Sequence, residues 1–320
     1  MTRGRIIILE GPDGVGKTTL ADAIEAQVDG PVVRFRQGPP PDDSMAALHY
    51  MDGIDSIMEA RQNDTTVIVD RFHVGELVYG PLLRGGSGIT VDEATVIDMR
   101  LEGIGAALVH CTLDPAEMVR RLYARDGGKP DEKSGATVGH SHSIRASFLH
   151  KLGRPERRGV LPSNWQYVEM TGYPEQMARK VLTCAKFSLI RSFENGVYGS
   201  QYGGTDAILL PEDGGEDMAH LAWLVGMLRD MGRLDRTCLL TRDAIKAGLE
   251  PHGGTGTVIV LGDAIDWVQQ EAVPYDFHIS HSVDLPDYDD TTFREALAAC
   301  LGLDTTRRTG GGLNESTEVN

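Results

Sequence analysis

The chain is poor in cysteine: four in 320 residues, Cys111, Cys184, Cys238 and Cys300, all far apart. With no C-x-x-C pair, neither a zinc knuckle nor a disulfide framework is indicated, and small buried thiols in a reducing compartment are expected. Basic charge is also scarce. Lys and Arg number 31 against 47 Asp and Glu, a formal net charge of −16. So acidic a chain repels polyanions at long range, which excludes a purely electrostatic nucleic-acid binder; nucleic acid would need a local basic patch. Long apolar runs are missing as well. The opening MTRGRIIILEG turns from basic to apolar, but the run Ile6–Leu9 is only four residues and meets Glu10, Asp13 and Lys17. That falls short of an export signal, and no stretch approaches the ~18 apolar residues of a membrane span. A soluble cytoplasmic protein with no membrane partner is expected.

What is present is an ordinary globular composition, 41% hydrophobic and 24% charged, in a chain of 320 residues. That is material for about two domains. Short buried-strand patterns fall at 5–9, 32–35, 65–69, 107–113 and 166–169. Between them, helical spacing of apolar residues marks 18–28, 45–61, 92–103, 115–125 and 174–193. Strands alternating with helices predict βαβ units and a parallel sheet. Residues 126–143 (DGGKPDEKSGATVGHSHS) are polar and aperiodic and read as a loop. The Gly- and Tyr-rich stretch 195–205 reads as a linker. The alternation then resumes, with strands at 206–210, 237–241, 257–261 and 277–280 and helices at 218–230, 264–271 and 292–301. The expected fold class is α/β: a parallel sheet flanked by helices over 1–194, a smaller α/β domain over 206–302, and a flexible tail over 303–320.

Gly11-Pro12-Asp13-Gly14-Val15-Gly16-Lys17-Thr18 fits G-x-x-x-x-G-K-[ST] at every fixed position and lies between a strand and a helix. Glycines there let backbone N–H groups cradle phosphate oxygens, and the helix N-terminus adds partial positive charge. ATP with Mg²⁺ is the implied ligand. Gly11, Asp13, Gly14, Val15, Gly16, Lys17, Thr18 and Thr19 form its expected site, Lys17 supplying a point charge and Thr18 joining the metal shell.

A second signature is VIVDRFHVGELVYG, residues 67–80. A buried strand ends in Asp70-Arg71, and open α/β sheets bind ligands at such strand ends. An Arg fork suits an anionic phosphate. The two side chains could instead pair with each other.

Together, LEGPDGVGKTT (9–19) and the Asp-Arg dipeptide resemble the thymidylate kinases and related nucleoside monophosphate kinases. The resemblance implies a P-loop kinase domain over roughly 4–190. It implies that Asp70 lies near metal and reacting phosphates, that Arg71 grips the acceptor, and that Asp13 reaches the acceptor sugar rather than only capping its turn. Phe35 and Arg36, in VRFRQGPPP (33–41), then become acceptor contacts, with Phe72 an alternative stacking ring. His73, Glu76 and Tyr79 either contact sugar or base or simply pack. The cationic run Arg120, Arg121 and Arg125, with Arg145 beyond the polar loop, resembles a lid whose cations cover the transferred phosphoryl; Arg121 and Arg125 join Lys17, Asp70 and Arg71 as the expected catalytic residues. The alternative is a solvated basic face. His140 and His142 lack further ligands and are read as loop, not metal site.

GELVYGPLLRGGSGIT (75–90) reads as a Gly-rich insertion where cellular thymidylate kinases continue into a helix. It looks more like divergent bacteriophage members, which would place the protein in a host's cytoplasm. The resemblance implies as acceptor dTMP or a modified pyrimidine deoxynucleotide, with a 5-hydroxymethyl pyrimidine such as 5-hydroxymethyluracil already in DNA as the alternative. A non-catalytic nucleotide switch is the third reading, and a homodimer is allowed for. In the second half, Glu212-Asp213 and His281-Ser282 follow an order that resembles the uracil-DNA-glycosylase-like fold, without a Pro after the His. A degenerate relative or an unrelated α/β module fits that pattern.

Overall fold

The computed structural model describes residues 4–61, 65–129, 132–154, 157–161, 165–189, 197–198, 206–210, 218–241, 258–261, 281–283, 291–301 and 303. Three buried β-branched runs build the centre of the first sheet: β1 (Ile6–Glu10), β3 (Thr66–Asp70) and β4 (Ala107–Thr112). Flanked by β2 (Val32–Phe35) and β7 (Gln166–Glu169), they form a five-stranded parallel sheet of order β2-β3-β1-β4-β7. β1 lies between β3 and β4, so the loop leaving its carboxyl end occupies the topological switch point.

Strand residues alternate between two cores, as a pleat requires. Ile7, Leu9, Ile68 and Val109 pack with α1 (Lys17–Glu25), α5 (Pro115–Arg125) and α8 (Pro174–Leu189). Ile6, Ile8, Val67, Val69 and Leu108 pack with α2 (Ala46–Ala60), α3 (Val74–Leu83), α4 (Val91–Gly103) and α7 (Ser141–Leu152). Local signals set the helix starts. The Thr90 hydroxyl and Glu93 carboxylate form a capping box at α4. Asp114 caps α5, with Pro115 opening it.

Two segments depart from the sequence reading. Residues 74–83, read within a Gly-rich insertion, form α3 despite Pro81, because Val74, Leu77 and Val78 bury in the core. The stretch 126–143 is not all loop: α6 (Glu132–Gly139) lies within it and α7 begins at Ser141, so His140 and His142 border or enter a helix. The segment earns its helix by tertiary contact, since Thr137 is buried and Val138 packs against the core. α7 runs into a short hairpin, β5 (Gly153–Arg154) with β6 (Arg157–Arg158).

In the second half, β8 (Val197–Tyr198), β9 (Asp206–Leu209), β10 (Thr237–Leu240), β11 (Val258–Leu261) and β12 (His281–Val283) form a second sheet, order β12-β11-β9-β10-β8. Only β8 is antiparallel, and it comes from the stretch read as a linker. Helices α9 (Met218–Asp230) and α10 (Thr291–Cys300) pack with it. The expected strand at 277–280, the helix at 264–271, and Glu212 and Asp213 lie outside the described residues; the observed strand starts at His281. The core under α4 continues into the second sheet through Leu224, Leu228, Ile208 and Leu239. Arg229 of α9 pairs with Asp92 and donates to the Thr95 hydroxyl on α4. Among the described residues no helix is long and apolar enough to cross a membrane.

Candidate active site

The loop after β1 is shaped by glycines. Gly11 sits at φ +142, and a Cβ there would lie 2.0 Å from the Cys111 carbonyl oxygen, so the chain passes hard against β4. Gly14, at φ +81, leaves room for Leu122 of α5. α1 then begins at Lys17 with no side chain capping it, which leaves its first-turn N–H groups for an anion. Lys17 is buried, and its Nζ donates to the Gly11 and Pro12 carbonyls at 2.7 and 2.8 Å. Burial lowers its pKa, Arg71's charge adding to the effect and the charges of Asp13 and Asp70 opposing it.

The Thr18 hydroxyl donates to Asp70 Oδ2 at 3.2 Å. Asp70 Oδ1 is buried and finds no hydrogen-bond partner among the described residues. A hydroxyl beside a carboxylate with an unmet oxygen is a hard-oxygen donor pair suited to Mg²⁺. The next residue, Arg71, has φ +74, the sole positive φ of a non-glycine residue among those described. Its guanidinium pairs with Asp13 in the phosphate loop. The alternative of an Asp70–Arg71 pair is thus not what forms; Arg71 instead ties the second signature to the first.

Glu10, which the sequence reading passed over, sits beneath both. It is fully buried, and its Oε1 accepts the N–H groups of Phe72 (2.8 Å), Val74 (3.0 Å) and Gly75 (3.4 Å). Burial raises its pKa, against the charges of His73 and Lys17 and those backbone bonds. The only sign of this in the sequence is a carboxylate ending an apolar strand.

The remaining expected site residues divide. Tyr79 reaches the loop: its phenol oxygen accepts the Asp13 N–H at 3.0 Å and bonds the Thr137 hydroxyl of α6. Burial, with Asp13's charge beside it, pushes that phenol's pKa up. Phe72 and His73, by contrast, lie in the core. Phe72 meets Tyr50 edge-on, and His73 places Nε2 3.1 Å from Asp98, whose other oxygen accepts the Trp165 indole N–H at 2.9 Å. Glu76 holds Arg84 and the Gly88 N–H, so it anchors the Gly-rich turn. Phe35 packs partly buried against the core, while Arg36 is exposed. Near Phe72, Gln37 Nε2 lies 2.7 Å from His49 Nε2, a polar pair the sequence did not announce.

The arginines expected to form a lid are largely engaged. Arg120 and Arg121 both bond Glu117, and Arg121 also donates to the Val15 and Met170 carbonyls at 3.1 Å. Arg121 therefore braces the phosphate loop. Arg125 pairs with its neighbour Asp126. Arg145 is half-buried, with Nε unpartnered among the described residues. No cluster of three or more His, Cys, Asp or Glu is placed to hold a metal among the described residues. Cys111 and Cys300 are free thiols, Cys111 buried under the loop and pushed up to about 12 by that burial.

No protein-family model matches the chain. Part of the chain is similar to thymidylate kinase. The curated thymidylate kinase of Lactiplantibacillus plantarum is 24% identical over 189 residues, covering 49% of this chain and 83% of that protein. The solved thymidylate kinase of Candida albicans is 16% identical and covers 58% of this chain and 92% of that one, with a TM-score of 0.39.

Proposed function

We propose that the chain is a P-loop kinase that moves the γ-phosphoryl of ATP to the phosphate of a pyrimidine deoxynucleotide, dTMP or a modified analogue. The observation that carries this reading is the Arg71–Asp13 pair, which joins the Asp-Arg turn at the end of β3 to the phosphate loop at the end of β1. A nucleotide switch has no need of that second cation.

The residues divide the work. Loop N–H groups and the start of α1 receive the donor phosphates, and Lys17 exchanges its two carbonyl partners for phosphate oxygens. Bound between Thr18 and Asp70, Mg²⁺ would supply charge neutralisation on the phosphates. Arg71 binds the acceptor phosphate, and Asp13, once Arg71 turns to that phosphate, is free to accept from the sugar. No covalent protein intermediate is required, because positioning and electrostatics carry phosphoryl transfer.

The test is incubation with γ-labelled ATP and either free deoxynucleoside monophosphates or base-modified duplex DNA. Label in deoxynucleoside diphosphates is the expected result. Label retained only on the polymer would move the acceptor into DNA, and no transfer to either would end the kinase reading.

A further inference from the structure

β1 is an apolar strand that ends in a carboxylate, and the fold buries that carboxylate completely. Burying a charge is costly unless hydrogen bonds compensate it. Here Oε1 of Glu10 collects three N–H groups, from Phe72, Val74 and Gly75. Two of these, Val74 and Gly75, open α3, whose N-cap residue His73 offers no side-chain cap. Glu10 thus caps α3 from across the sheet, a service to orphan first-turn amides. Its other oxygen, Oε2, is buried without a hydrogen-bond partner among the described residues.

The backbone under this cap is the Asp70–Arg71 turn. The Arg71 N–H donates to the Leu9 carbonyl at 3.0 Å, and the residue is held at φ +74, a conformation costly for a side chain with a Cβ. Two consecutive residues of β1, Leu9 and Glu10, therefore clamp the turn that carries Asp70 and Arg71. The very next residue, Gly11, begins the loop that receives phosphate.

We propose that Glu10 is a positioning residue for phosphoryl transfer: its carboxylate fixes the Asp70–Arg71 turn at a set distance from the phosphate loop. The proposal rests on the kinase reading and adds a residue that touches neither nucleotide. In-line transfer tolerates little misplacement, and an error of about 1 Å can cost on the order of 10²-fold in rate.

Two variants of the full chain test it. Glu10→Gln keeps an oxygen at the same reach, whereas Glu10→Asp keeps the charge but withdraws it by one bond, about 1.5 Å. Glu10→Gln should retain kcat within about threefold, and Glu10→Asp should lose about 10²-fold in kcat with a raised acceptor KM and an unchanged KM for ATP. A folded Glu10→Asp protein with wild-type kcat, or a Gln variant as impaired as Asp, would overturn the proposal. Should Glu10→Asp not fold, amide exchange on the wild type decides. Phe72 and Val74 amides should be as protected as those of β1, and exchange at loop rates would overturn the clamp. A wild type that transfers no phosphoryl group fails the kinase reading instead, and leaves the exchange result standing.

Discussion

The Thr18 hydroxyl donates to one oxygen of Asp70 across 3.2 Å, while the other oxygen of Asp70 is buried and unpartnered among the described residues. Asp70→Asn retains an acceptor for Thr18 but removes the charge that would hold Mg²⁺. The expected outcome is a fall in kcat on the order of 10²-fold or more, with binding of ATP in the absence of Mg²⁺ unchanged. Titration calorimetry with and without chelator, beside steady-state rates, checks it; near-normal turnover would remove Asp70 from the metal site.

Arg71 gives a prediction in two parts, because its side chain and its backbone make separate demands. Arg71→Ala should weaken acceptor use by about 1.5–3 kcal/mol, the worth of a charge-assisted bond, and leave ATP affinity nearly unchanged. Arg71→Gly should lose as much function yet be the more stable of the two by roughly 1 kcal/mol, since glycine relieves the φ of +74. Chemical denaturation of both variants, compared with acceptor KM, separates the parts. An alanine variant more stable than the glycine one would contradict the left-handed turn.

His110 lies on β4 beside Glu10 of β1, 1% exposed. Burial brings its imidazole from 6.5 down to about 4, the Gly153 backbone opposing and the Arg145 charge assisting. A depressed folded pKa means the unfolded chain binds the proton first. The contribution of neutral His110 to stability is therefore complete above pH 6.5 and is lost as pH falls toward 4. The loss is on the order of 3 kcal/mol at about 1.4 kcal/mol per unit. Guanidinium unfolding between these pH values should show a shallower acid slope for His110→Gln than for wild type. Equal slopes would assign the acid sensitivity to other groups.

A chain cut after residue 195 keeps every residue given a role above, so the fragment should still bind ATP. It should also melt below the full-length protein, because α4 loses its packing against α9, including the Asp92 and Thr95 contacts to Arg229. Thermal unfolding of both proteins, with and without ATP, tests this. Equal midpoints would show that the halves are energetically separate.

Much of this arrangement was written in local signals. The phosphate loop has a fixed spacing, Asp70-Arg71 ends a buried strand, and both lie where the sequence places them. What stayed hidden depends on partners distant in the chain. Glu10 meets Phe72 and His73 meets Asp98, with dozens of residues between, and no periodicity reports such pairs. Gly75, Gly80 and Pro81 masked α3, whose helical form is imposed by core packing over weak propensity. The binding of the lid arginines was half readable, since Arg120 and Arg121 follow Glu117 by three and four residues, the spacing of neighbours on a helix face.

Along β1, successive isoleucines answer to different cores. Ile7 packs into the layer shared by α1, α5 and α8, whereas Ile8 packs into the layer that continues under α4 to the second sheet. A cavity opened at Ile7 is confined to the side that supports the phosphate loop. One opened at Ile8, a single step along the same strand, adjoins packing that reaches into the far half of the molecule. Mutational sensitivity along the apolar part of β1, Ile6–Leu9, should therefore alternate in kind rather than in degree, with odd positions read out in nucleotide binding and even positions in the cohesion of the two sheets.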